Sequence, residues 1–147
     1  MALLGLKKRG FGEGKFGGFG GKIEPGESPA LAAARELYEE SGVQVAAADL
    51  VYAAHLTFEF PARQAWDIIV HAFVARRWRG EAAESEEMRP AWFPVESIPY
   101  HRMWDDARFW LPPVLSGERL RGHFVFNGDN ETVARCRIEK LDSPPAG

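Results

Sequence analysis

Hydrophobic residues change their spacing several times along this chain, and each change marks an element. Ala2 to Leu6 is a short apolar stretch that passes into Lys7, Lys8 and Arg9, the pattern of a strand ending at a basic edge. From Gly10 to Gly21 the sequence reads GFGEGKFGGFGG. No helix persists there, since each interior glycine costs about 0.8–1.0 kcal/mol relative to alanine. The segment is expected to be a loop or irregular strand, tied down by Phe11, Phe16 and Phe19. Glu24-Pro25-Gly26-Glu27 is turn chemistry, and Ser28-Pro29 places an N-cap residue ahead of a proline at the first helical position. Helix formers then run to Ser41, and Gly42 stands where a left-handed residue ends a helix. The pattern predicts a helix from Pro29 to Ser41.

Downstream the period shortens to two. Val51 to Phe60 and Asp67 to Arg77 read as strands joined by a loose connection at 61–64, and Ile68, Val70, Ala72 and Val74 share one face. A charged loop from Gly80 to Arg89 leads to a short strand near Ala91 to Phe93. An irregular aromatic stretch follows, containing Met103-Trp104-Asp105-Asp106 and Phe109-Trp110-Leu111, with a short helical end at Leu115. His123 to Phe126, a turn at Asn127-Gly128-Asp129 and a strand carrying Ala134, Cys136 and Ile138 make a second hairpin. This order predicts a mixed α/β domain with a mostly non-Rossmann sheet.

Composition narrows the class. With 147 residues, 46% hydrophobic and 27% charged, the chain is expected to form a single domain over 1–142, leaving 143–147 as a disordered tail. A formal net charge of −3 argues against a nucleic acid polymer as partner. No apolar run approaches the roughly 18 residues of a membrane span, and the N-terminus lacks a signal-peptide pattern. The single Cys136 excludes an intramolecular disulfide framework. A cytoplasmic monomer acting on a small molecule is the expectation, and Cys136 is expected to be a small core residue on its strand. The four histidines show no metal-ligand spacing.

Candidate chemistry lies on the predicted helix. Glu36, Glu39 and Glu40 fall within about 100° of one another, because positions i, i+3 and i+4 share a face. Leu31, Ala34, Leu37 and Tyr38 are expected on the opposite, buried face. Two like charges about 6 Å apart repel by roughly 3 kcal/mol at an effective dielectric of 20 and by under about 1 kcal/mol in bulk water. The spacing therefore leaves two readings open: a solvated acidic stripe, or a site for a hard divalent cation. The glycine-rich loop with Lys7, Lys8, Arg9, Lys15 and Lys22 around it supplies the bare backbone and positive charge that a phosphate group needs. Gly12 to Gly17 matches G-x-G-x-x-G, but no helix opens there, and the dinucleotide reading is rejected.

Gly21, Glu27 and the run Arg35-Glu36-Leu37-Tyr38-Glu39-Glu40-Ser41-Gly42-Val43 reproduce G-x5-E-x7-R-E-U-x-E-E-x-G-U at every fixed position. This resembles the Nudix box, which decides between the two readings in favour of the metal site. Lys7-Lys8-Arg9-Gly10-Phe11-Gly12, Phe58-Glu59-Phe60, Glu87-Met88-Arg89-Pro90, Trp92-Phe93, Met103-Trp104 and Gly122-His123-Phe124 are similar to the branch of that family acting on oxidised purine nucleoside triphosphates, the 8-oxo-dGTP diphosphatases.

The resemblance implies Mg²⁺-dependent hydrolysis, with Mn²⁺ as a substitute, of a nucleoside triphosphate to the monophosphate and pyrophosphate. It implies Glu36, Glu39, Glu40, Glu87 and the Gly20 carbonyl as metal ligands, with Glu40 foremost among the catalytic carboxylates. It further implies Lys7, Phe11, Phe19, Gly20, Gly21, Lys22, Phe58, Trp104, Asp105 and Asp106 as substrate-binding positions. Glu27 would steady the loop–helix junction and Arg35 would pair within the helix. The family's purine-reading asparagine falls on Gly17, and the second of its paired aspartates on Ala107, departures that bear on base specificity and not on hydrolysis. The resemblance implies an α/β Nudix fold, a mixed β-sheet sandwiched by helices; the family also has an apolar strand ahead of the one that Ala2 to Leu6 resembles, so the first strand of the fold is expected to be missing.

Overall fold

The computed structural model describes residues 1–143; the predicted tail lies outside them from residue 144 on. Seven strands and two α-helices follow one another as β1 (Ala2–Lys7), β2 (Phe16–Gly17), α1 (Pro29–Ser41), β3 (Leu50–Glu59), β4 (Ile68–Ala75), β5 (Met88–Phe93), α2 (Ala107–Leu115), β6 (Arg119–Phe126) and β7 (Val133–Leu141). They assemble two compact units, one from residues 1–50 and 75–103, the other from 51–74 and the described residues from Trp104 on.

The first unit holds a three-stranded sheet in the order β2-β1-β5. β1 runs antiparallel to β5, with Leu4 opposite Ala91 and Lys7 opposite Met88. Beyond β1 the chain turns back through Gly10, Gly12 and Gly14, all left-handed, and Gly14 N–H donates to the Lys7 carbonyl at 2.8 Å. Phe16 anchors the glycine-rich stretch, buried edge-on against Phe93 at 5.1 Å. Phe11 is 56% exposed and does not anchor it through the core.

Helix α1 has the predicted bounds. Ser28 caps it by accepting from Leu31 N–H at 3.2 Å, Pro29 opens it, and Gly42 at φ 77° closes it. Its orientation departs from the expectation. Leu31 and Tyr38 are 51% and 53% exposed, while Ala32, Glu40 and Ser41 are buried. Of the three carboxylates Glu40 is turned inward, where the glycine loop supplies it a backbone amide, while Glu39 stays exposed.

The second unit holds a four-stranded sheet in the order β4-β3-β6-β7. It is mixed: β3 pairs parallel with β6, and β6 antiparallel with β7. The mixed α/β class stands, but there are two sheets where one was expected. The core of this unit gathers Ala54, Leu56, Phe58, Phe60, Leu120, Phe124 and Phe126, against which Val70, Ala72 and Val74 of β4 pack, while Ile68, expected on the same face, is exposed.

Four local expectations are corrected. The aromatic stretch after Trp104 is a complete helix despite Pro112 and Pro113, because Ala107, Leu111 and Val114 are buried along one side of it. β5 begins at Met88, inside what charge alone marks as loop, since β1 offers it a full ladder of partners. β6 begins at Arg119, four residues before the predicted start. Cys136 is exposed, because β7 is an edge strand whose inward contacts come from Val133 and Ile138.

Candidate active site

The acidic cluster lies within the first unit. Arg35 sits at its centre and donates to four groups. Its Nε and Nη2 make a forked pair with the Glu27 carboxylate at 2.8 and 3.0 Å, Nη2 reaches the Lys22 carbonyl at 2.9 Å, and Nη1 reaches Glu36 at 2.9 Å and Glu39 at 3.3 Å. Glu27 also accepts from Glu24 N–H at 3.0 Å. The hydrogen bonds from Arg35 and then from Glu24 hold the Glu27 carboxyl down to about 2. Glu27 therefore welds loop to helix; Arg35 pairs with Glu36 and Glu39 within the helix as expected, but its forked bond goes outside the helix, to Glu27.

Glu40 occupies a different environment. It is 5% exposed and accepts from Gly20 N–H at 2.9 Å. Burial pushes its carboxyl up to about 7; the Gly20 amide opposes this, the Glu36 charge adds to it, Lys7 opposes it and Glu87 adds to it. Three carboxylates thus act on one another here with a single nearby lysine, whose Nζ lies 3.5 Å from Glu87. Gly21 approaches Glu36 so closely that a Cβ would lie 2.6 Å from its carboxyl carbon. The glycine loop is laid directly over the acidic face.

Among the described residues no three Asp, Glu, His or Cys side chains converge at metal-ligand separation. Arg35 holds Glu36 and Glu39, and Gly20 presents its N–H to Glu40 where its carbonyl was the expected ligand. The donor set still fits a hard divalent cation: it is all carboxylate oxygen, and the mutual repulsion around buried Glu40 is the kind a cation relieves.

The predicted base-pocket residues divide. Lys7, Phe11, Phe19, Gly20, Gly21 and Lys22 belong to the first unit; Phe58, Trp104, Asp105 and Asp106 to the second. Phe58 is core, stacked on Phe124 at 5.4 Å. Trp104 is half-buried and meets Phe60 and Phe126 edge-on at 6.4 and 6.2 Å.

The two aspartates have separate work. Asp105 accepts from Arg108 Nε and from Val133 N–H, both at 2.8 Å, and the Arg108 bond above all holds its carboxyl low. Asp106 is 7% exposed and accepts from Trp110 Nε1 at 2.7 Å; burial pushes it up to about 6. Asp105 is thus occupied with structure, and Asp106 is the carboxyl whose proton is exchangeable near neutrality. Sequence reasoning passed over Trp110 and Phe60. The i, i+4 spacing of Trp110 from Asp106 and the alternation of Phe60 with Phe58 were the available signals.

This fold and box define a family. The NUDIX domain matches residues 3–113, and the chain belongs to the Nudix hydrolases. It is 46% identical over 140 residues to the oxidized purine nucleoside triphosphate hydrolase of Danio rerio, spanning 95% of this chain and 87% of that one. To the Mus musculus protein of the same name it is 43% identical over 141 residues, spanning 96% and 88%. Among solved structures, a MutT protein from Bacillus halodurans superposes with a TM-score of 0.77 at 24% identity, covering 93% of this chain and 88% of that chain, a likeness of fold. No helix among the described residues is long and apolar enough to cross a membrane.

Proposed function

We propose that this protein hydrolyses oxidised purine nucleoside triphosphates to the nucleoside monophosphate and pyrophosphate, with Mg²⁺ as the working cation and Mn²⁺ as a substitute. The observation that carries the reading is buried Glu40, bonded to the glycine loop and flanked by the charges of Glu36 and Glu87. The names of the zebrafish and mouse relatives support the substrate class.

Glu36, Glu39, Glu40 and Glu87 would hold the cation, which when bound neutralises phosphate charge and makes water a better nucleophile at neutral pH. The rest is done by the chain. Glu27 and Arg35 fix the loop against the helix, so the Gly20–Lys22 backbone lies over the carboxylates. Glu40, held against the loop by the Gly20 amide, is the carboxylate placed to accept a proton from an attacking water. In the second unit Trp104 offers a ring face for a purine, and Asp106 a carboxyl able to donate or accept along the base edge. The same reading keeps the chain as a monomeric cytoplasmic enzyme.

Pyrophosphate release measured with Mg²⁺ across 8-oxo-dGTP, 2-oxo-dATP, dGTP and ADP-ribose tests the proposal. Turnover should be highest with the two oxidised nucleotides; preference for dGTP or ADP-ribose would overturn the substrate claim. Unchanged turnover in Glu40→Gln would overturn the catalytic one.

A further inference from the structure

A ladder of opposite charges joins the end of β1 to the acidic loop before β5. Lys7 faces Glu87, Lys8 faces Glu84, and Arg9 faces Glu86. The three rungs are unequal. Lys7 stands 3.5 Å from its partner, and the Arg9–Glu86 pair is a single contact between side chains 60% and 86% exposed. Lys8 alone grips the loop at several points. Its ammonium bonds the Glu84 carboxylate and, at 2.9 Å, the Ser85 carbonyl, while its own N–H donates to the Glu87 carbonyl at 2.8 Å.

The loop has little else to fix it. Ala83 N–H reaches the Ser41 carbonyl at the end of α1, and Ser85 closes a turn onto Met88. Glu84 lies between those two points, and Glu87 sits within the Ser85–Met88 turn, where its charge acts on Glu40. We infer that Lys8 is a positioning residue for Glu87: by clamping Glu84 and the Ser85 carbonyl it holds the acidic loop where the Glu87 carboxylate is presented to the Glu36–Glu40 face. The inference rests on the proposed role of Glu87 as a metal ligand. An exposed ion pair contributes little to folding, so the clamp acts on loop geometry far more than on stability.

Charge and position make opposite predictions for Lys8, which gives a clean test. Removing a cation near a site for a divalent ion tightens binding if Lys8 acts only through its charge. Removing it weakens binding if Lys8 acts by holding Glu87. Mn²⁺ binding to the nucleotide-free protein is measured by calorimetry for the wild type, Lys8→Met, Lys8→Arg, Glu84→Gln, Glu86→Gln and Glu87→Gln, with thermal melting alongside.

Lys8→Met is expected to weaken Mn²⁺ binding about tenfold, the scale of losing a partner that orients a ligand. Lys8→Arg should recover most of the loss, and the melting temperature should scarcely move. Equal or tighter binding in Lys8→Met, with Glu87→Gln weakened, overturns the inference and leaves the metal reading standing. Unchanged binding in Glu87→Gln overturns the role of Glu87 itself. If Lys8→Met melts well below the wild type, Glu84→Gln is compared with Glu86→Gln, which removes the same charge from the same loop outside the Lys8 clamp: weaker binding in Glu84→Gln than in Glu86→Gln, at an unchanged melting temperature, upholds the clamp, and equal binding in the two overturns it.

Discussion

Gly21 and Glu36 are in closer contact than any other residue at position 21 allows, since a Cβ there would lie 2.6 Å from the glutamate's carboxyl carbon and one of its oxygens. The obstacle is the far end of a flexible side chain, not backbone. Gly21→Ala should therefore leave the fold intact and swing the Glu36 carboxylate aside. Displacing a working group by about 1 Å costs on the order of 100-fold in rate. Steady-state pyrophosphate release from Gly21→Ala is expected to fall by 10- to 100-fold on that scale, with the melting temperature close to that of the wild type.

The Glu27–Arg35 fork predicts an acid limb in stability. The Glu27 carboxyl is held from 4.5 down to about 2 in the folded protein, first by the Arg35 hydrogen bond and then by Glu24 N–H. The unfolded state therefore binds the proton first as pH falls. The contribution is complete above about pH 4.5 and is lost as pH drops toward 2. Urea unfolding of the wild type and Glu27→Gln should show a stability gap at pH 6 that closes between pH 4.5 and pH 2. A gap independent of pH would show that the carboxylate charge is not what holds the junction.

The start of α1 was legible because its signals are local. Ser28, Pro29 and Gly42 act within one turn of themselves, so their meaning survives without knowledge of the rest of the chain. Ser28→Ala removes the acceptor of the Leu31 N–H bond and is expected to cost about 1 kcal/mol in urea unfolding at neutral pH, within a 0.5–2 kcal/mol range. A cost near zero would mean that water replaces the cap fully.

What the sequence did not reveal is decided at a distance. Spacing put Glu36, Glu39 and Glu40 on one side of α1, but whether that side faces water or protein depends on the Gly20 amide, twenty residues earlier. Helical spacing sets Leu31 and Tyr38 opposite the carboxylates, on the face expected to be buried, and both are exposed. Helix α2 was hidden by Pro112 and Pro113, whose local effect is outweighed by the burial of Leu111 and Val114. The residues of the acidic box were legible through a fixed spacing; the division of labour between Asp105 and Asp106 was not, because it turns on Arg108, Val133 and Trp110 reaching one carboxyl or the other.

That division predicts a second pH dependence, opposite in sign to the first. Burial raises the Asp106 carboxyl from 3.8 to about 6, with the Trp110 bond pulling the other way. Between those values the folded state holds a proton that the unfolded state has released. Asp106 therefore favours the folded protein fully below about pH 3.8, and this is lost as pH rises through about 6. A rise of about two pKa units corresponds to about 3 kcal/mol at 1.36 kcal/mol per unit. Asp106→Asn, which cannot ionise, should gain stability relative to the wild type by up to that amount between pH 4 and pH 7, read by urea unfolding at each pH. Trp110→Phe removes the bond that favours the charged form, so it should push the Asp106 transition to still higher pH. If the Asn variant and the wild type keep a constant difference across this range, Asp106 ionises as it does in water, and the neutral carboxyl proposed for reading an oxidised purine edge is lost with it.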